Sequence, residues 1–128
     1  MKGYYYDVEK LDMGQAENPA QLLATCHVRL RDDCDIYRGH FPHQPICPGV
    51  CNIQMILECC ELATNKKLRI AEIRKCRFPT LATPENCGEL LVKIELLTQS
   101  EDIDVRATIT DGSKNYVELH GTLKENQL

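Results

Sequence analysis

Hydrophobic and polar residues alternate over residues 20–30, placing Leu22, Ala24, Cys26, Val28 and Leu30 on one face. Period-two alternation marks a half-buried strand. From Gly49 to Thr64 the period changes. Val50, Ile53, Leu57 and Leu62 mark one side of a helix, while Met55, Ile56, Cys59, Cys60 and Ala63 fill most of the other. Apolar residues nearly all round predict a largely buried helix, ended by Asn65-Lys66-Lys67. Everything afterwards reads as strand. Residues 68–78 form a less regular one, and Glu89–Thr98 a long one with Leu90, Val92, Ile94 and Leu96 on one face. Ile103, Val105, Ala107 and Ile109 alternate with polar residues, and Val117, Leu119, Gly121 and Leu123 give the last strand. Asp111-Gly112 between these two is a hairpin signal. With Tyr4–Leu11 as the first strand, the inventory is one buried helix and about six strands, without repeat or interdomain linker. A single long apolar helix can be buried by an antiparallel sheet that curves around it. That α+β arrangement leaves a sheet edge to be covered or paired, so at least a dimer is expected.

Length and composition narrow the function classes. At 128 residues the chain is expected to be one domain, 1–128. A net charge of −4 argues against nucleic acid as the main partner. No window approaches a membrane span, and Met1-Lys2-Gly3-Tyr4-Tyr5-Tyr6-Asp7 lacks the apolar core of a secretion signal. A cytosolic location is expected. The eight cysteines raise disulfide and metal readings. They sit mostly in apolar-patterned segments and form no CxxC pair, and Cys47 and Cys51 with His40 and His43 give no recognised zinc spacing. The expectation is buried free thiols and no metal site.

Candidate chemistry concentrates in Gly39-His40-Phe41-Pro42-His43-Gln44-Pro45-Ile46-Cys47-Pro48-Gly49-Val50. Prolines and glycines at this density describe a rigid loop, and it feeds directly into the helix. A histidine held there is placed to act as a general base beside a helix N-terminus, where developing negative charge is favoured.

This segment resembles the active-site motif of the hotdog-fold 3-hydroxyacyl-acyl carrier protein dehydratases. Tyr37-Arg38-Gly39-His40-Phe41-Pro42 matches the family's glycine-histidine-phenylalanine-proline loop, and Pro48-Gly49-Val50 its helix start; Arg77-Phe78 and Pro84-Glu85-Asn86 resemble the strand and turn that lead into the C-terminal hairpins. The resemblance implies a hotdog fold, a six-stranded antiparallel sheet wrapped around the central helix. It also implies a homodimer whose sites lie at the interface, where the loop histidine of one protomer faces a helix carboxylate of the other. The implied substrate is a 3-hydroxyacyl chain on the phosphopantetheine arm of an acyl carrier protein, in fatty-acid or polyketide-like biosynthesis, with no other cofactor. His40 would remove the α-proton, the carboxylate would help the 3-hydroxyl leave as water, and N–H groups near Gly49 and Val50 would polarise the thioester carbonyl. Phe41, Pro48, Gly49 and Val50 would contact substrate.

The chain departs from the family on the helix. Fourteen residues after His40, where the family carries Glu or Asp, it has Gln54, and four residues later, where many members carry Gln, it has Glu58. The pair is exchanged along one helical face, since i and i+4 are neighbours. Glutamine cannot act as a general acid. Glu58 is expected to supply the missing carboxylate, directly or through Gln54, with burial raising its pKa so that it can donate; the alternative is a structural or interface glutamate. His43 replaces a family glycine, and the N-terminus is short for the family.

Lys66, Lys67, Arg69, Arg74, Lys75 and Arg77 place 6 of the 15 basic residues within twelve positions. This is either a docking patch for an acidic carrier protein or a solvated surface. Two rival functions stay open: thioester hydrolysis on the same fold, and a non-catalytic acyl-thioester-binding subunit.

Overall fold

The structure is a computed structural model that describes residues 6–31, 49–80 and 88–126. Its elements are β1 (Tyr6–Met13), β2 (Gln21–Leu30), α1 (Gly49–Thr64), β3 (Leu68–Arg77), β4 (Glu89–Gln99), β5 (Asp102–Thr110) and β6 (Asn115–Glu125). The first strand runs two residues further than the pattern predicts, to Met13, and Tyr4 and Tyr5 lie outside the described residues. The strands form one sheet in the order β1-β2-β4-β5-β6-β3, with every neighbouring pair antiparallel.

Alternation turns into core where it is most regular. Leu90, Val92, Ile94 and Leu96 of β4 and Ile103, Val105, Ala107 and Ile109 of β5 are all buried, together with Cys26 and Val28 of β2 and Val117, Leu119 and Leu123 of β6. The helix adds Cys51, Met55, Ile56, Cys59 and Cys60 to the same core. Its burial is a stripe rather than all-round, because Val50 is 73% exposed and Leu62 also faces solvent. Asn65, in the left-handed region at φ 56°, ends the helix by donating its N–H to the Glu61 carbonyl at 2.8 Å, a common C-terminal device. The five described cysteines are free thiols, four of them buried. No helix among the described residues is long and apolar enough to cross a membrane.

The β5–β6 turn is tied by Asp111. Its carboxylate accepts the backbone N–H of Ser113 at 2.8 Å and of Lys114 at 2.7 Å, and the Tyr116 hydroxyl at 2.7 Å. Gly112 takes the positive φ of 95° that this turn requires. The backbone bonds and the tyrosine hold the Asp111 carboxyl down at about 2.

The irregular strand over 68–78 has a structural cause. β3 slips register against β6 twice, between Ile70 and Glu72 and between Ile73 and Lys75, as extra residues bulge out of the ladder. Gly121 lies opposite, and a Cβ there would collide with the Glu72 carbonyl oxygen. Backbone cannot swing away as a side chain can. Gly121→Ala is therefore expected to cost about 3 kcal/mol, the upper end of ordinary overpacking. Urea unfolding checks it: the midpoint should fall at an unchanged slope, and an unaltered midpoint would mean that the bulge yields freely.

Candidate active site at the central helix

The helix presents Gln54 and Glu58 one turn apart on its partly exposed side. The Gln54 amide nitrogen donates to Glu58 Oε2 at 3.2 Å. The nitrogen must be the donor, because an ionised carboxylate only accepts. The two residues that are exchanged in the sequence do meet. A third residue, which the pattern did not mark, completes the group: the Tyr6 hydroxyl donates to Glu58 Oε1 at 2.7 Å. Each carboxylate oxygen thus receives a fixed donor, one from β1 and one from the helix itself.

Charge follows from this wiring. Burial works to raise the Glu58 carboxyl, but interactions that favour the carboxylate, the hydrogen bonds from Tyr6 and Gln54 foremost among them, act against it, and the net displacement is downward. This corrects the expectation that burial would raise Glu58 and let it store a proton; the resting group is a carboxylate. Burial, and then the bond to Glu58, push the Tyr6 phenol far above its ordinary range, so the shared proton stays on the tyrosine. Beneath them lie Cys26 and Cys59, both fully buried. The hydrogen bond with Cys26, followed by burial, pushes the Cys59 thiol far up, and burial carries Cys60 to about 12. The Cys59 and Cys60 thiols are not nucleophiles at neutral pH.

The helix N-terminus forms the second part of the site. Gly49 begins the helix, and a Cβ there would stand 2.9 Å from Phe78 Cζ, so the glycine lets the phenylalanine ring lie against the first turn. Phe78 and Val50 both expose apolar surface beside the first-turn N–H groups. His40, Phe41 and Pro48 lie outside the described residues.

The six basic residues do not form one free patch. Arg74, carried out by the second bulge, donates to the Asp104 carboxylate, to Thr122 Oγ1 at 2.7 Å and to the Gly121 carbonyl at 3.1 Å. Lys66 stands 4.0 Å from Glu125, and the Lys67 carbonyl accepts the Asn126 N–H. Arg69, Lys75 and Arg77 lie opposite Lys124, His120 and Glu118, on the sheet face turned away from the helix.

Among the described residues no cluster of three or more histidine, cysteine or acidic side chains could hold a metal ion.

A family model described as ApeI-like, ApeI dehydratase, matches residues 15–118. No curated protein gives a match. Among solved structures the chain is similar to an uncharacterised protein from Erwinia carotovora subsp. atroseptica, at 15% identity, covering 96% of this chain and 97% of that one with a TM-score of 0.69. It is similar to the dehydratase heterocomplex ApeI:P from Xenorhabdus doucetiae, at 21% identity over 93% of this chain and 100% of that one, with a TM-score of 0.57. A third likeness is to the dehydratase domain from the CurJ module of curacin polyketide synthase, at 16% identity over 94% of this chain and 42% of that one, with a TM-score of 0.53. At these identities the likeness shows the fold, a six-stranded antiparallel hotdog sheet with one central helix.

Proposed function

Because this chain belongs to the ApeI-like dehydratase family, we propose that it eliminates water from a 3-hydroxyacyl thioester borne by an acyl carrier protein, in fatty-acid or polyketide-like biosynthesis in the cytosol. The product is the trans-2-enoyl thioester, and no cofactor is needed beyond the carrier's phosphopantetheine arm. The observation that supports this best is the family match across the whole helix, whose exchanged Gln54 and Glu58 still form one hydrogen-bonded unit.

In this reading the first-turn N–H groups at Gly49 and Val50 hold the thioester carbonyl, where negative charge grows as the α-proton leaves. His40 takes that proton, and the electron pair becomes the Cα–Cβ double bond as the C–O bond breaks. The departing oxygen takes the pair of the broken bond and needs a proton. Glu58, held ionised, has none to give, so the His40 imidazolium returns the one it took. Gln54, its amide anchored by Glu58, orients the hydroxyl for that transfer. Phe41 and Pro48 line the acyl path together with Val50 and Phe78.

Arg69, Lys75 and Arg77 supply the positive surface available to an acidic carrier. The strands β1 and β3 end the sheet, and Ile73 and Phe78 expose apolar surface on or beside β3. Among the described residues no strand pairs with these edges, and an apolar edge of this kind supports assembly into at least a homodimer.

A second reading has its own support. Gln54 stands where the family carries a carboxylate, and the relative from Xenorhabdus doucetiae is a heterocomplex. On this reading the chain binds acyl thioester but turns it over only beside a second hotdog subunit. One experiment separates the readings: the purified protein is incubated with 3-hydroxyacyl-carrier and the acyl arm is weighed by mass spectrometry. Loss of one water is expected. Free acid would make the protein a thioesterase, and unchanged substrate an acyl-binding subunit.

A further inference from the structure

We propose that Tyr6 is a positioning residue of this site: its hydroxyl fixes the Glu58 carboxylate, and through it the Gln54 amide, in the arrangement that turnover uses. The effect on turnover rests on the dehydratase reading; the bond itself does not.

Tyr6 is the one residue of β1 that is fully buried; the others are half-buried or exposed. It pairs with Leu30 at the end of the β1–β2 ladder. A phenylalanine would fill such a slot without having to bury a hydroxyl, and burying one costs free energy unless it is bonded. The Tyr6 hydroxyl is bonded, at 2.7 Å, to a carboxylate 52 residues away in sequence. Bonds from a neutral donor to an ionised acceptor are short and strong. The bond also fixes direction. With Oε1 taken by Tyr6, Oε2 is left to receive the Gln54 nitrogen at 3.2 Å, and the Gln54 carbonyl must then point the other way. A planar amide so held offers a substrate hydroxyl one defined pattern of donor and acceptor.

Among the described residues the titratable groups gathered here are Tyr6 from β1, Cys26 from β2, and Glu58 and Cys59 on the helix. Cys59 is held as a thiol by its bond to Cys26 and by burial, while that same bond moves the Cys26 thiol down against burial. Glu58 is the one carboxyl among them, and its own titration is read at its carboxyl carbon. Removing the tyrosine hydroxyl removes a donor that favours the carboxylate, so Glu58 should protonate at higher pH. A protonated Glu58 becomes a donor itself, competes with the Gln54 N–H, and releases the amide.

The test compares Tyr6→Phe with the unmodified protein. The Glu58 carboxyl carbon is followed by NMR in glutamate-labelled protein and assigned by its disappearance in Glu58→Gln. The titration should move to higher pH in Tyr6→Phe. The acid limb of kcat should move with it, and kcat at neutral pH should fall roughly tenfold with KM little changed, as expected on losing one hydrogen bond to a charged group. A titration that does not move overturns the proposal, with or without activity. A titration that moves while kcat and its acid limb stay put also overturns it, since a tie between β1 and the helix would behave in that way. Should Tyr6→Phe fail to fold, the unmodified protein still decides. Its Tyr6 hydroxyl proton should be slow to exchange and should shift as Glu58 titrates, and a hydroxyl that ignores that titration overturns the proposal. An unmodified protein that dehydrates nothing overturns the dehydratase reading and the turnover role together, even if the titration moves.

Discussion

His40→Ala is expected to lower kcat for dehydration by about 10²–10⁴-fold while leaving the fold intact. The family match and the charge of the helix site together lead to this loss. An elimination needs a base for the α-proton and an acid for the departing hydroxyl. Glu58 is held as a carboxylate by Tyr6 and Gln54, so it cannot begin the cycle as the acid. If His40 fills both roles in turn, its loss removes both at once, and the effect should sit toward the upper end of that range. An imidazole with an unperturbed pKa near ~6.5 can cycle in this way at neutral pH. Circular dichroism and unfolding curves of the variant check the fold, and steady-state rates on a carrier-linked substrate check the chemistry. Near-normal turnover in a folded His40→Ala protein would remove His40 from the mechanism and require another base for the α-proton.

The parts legible in the sequence are those where one face decides everything. Leu90, Val92, Ile94 and Leu96 announce β4 because a strand with one buried face must alternate, and all four are buried. β1 announces itself less clearly. Leu11 and Met13 are exposed, so its alternation carries little signal, and the one contact that matters, from the Tyr6 hydroxyl to Glu58, spans 52 positions. No local pattern can show a bond of that reach. The Glu58 charge state was hidden for a related reason. An apolar helix implies burial, and burial implies a raised carboxyl, but the strongest donor acting against it, the Tyr6 hydroxyl, comes from tertiary placement. The basic cluster misleads differently. Arg74 looks like its neighbours in sequence, yet a bulge that only Gly121 accommodates turns it toward Asp104 and Thr122. A glycine amid strand residues is the signal that could have flagged that irregularity.

Glu58→Gln is expected to lower kcat by about 10²-fold or more, comparable with losing an oriented polar group in a preorganised site. The change keeps volume and shape, and the Tyr6 hydroxyl can still donate to the new amide oxygen. The other end of that amide is then an NH₂ group facing the Gln54 nitrogen, donor against donor. Gln54 must turn over to present its carbonyl, and the pattern it offers substrate is reversed. Gln54→Glu alone should fail for the opposite reason. Two carboxylates would share the contact now spanned at 3.2 Å, and their repulsion forces one to take up a proton, with the titrations of the pair coupled. Combining both changes resolves each conflict. Tyr6 donates to the amide oxygen at position 58, the NH₂ there donates to the carboxylate at position 54, and the family's order is recreated with every donor matched to an acceptor. The double variant should therefore be at least tenfold more active than Glu58→Gln, a gain of about 1.4 kcal/mol, and the double-mutant coupling is larger than this by whatever Gln54→Glu costs alone. Simple addition of the two single losses would show that Gln54 and Glu58 act separately. A double variant that dehydrates while the unmodified protein does not would identify this chain as an acyl-binding relative whose helix has lost its acid.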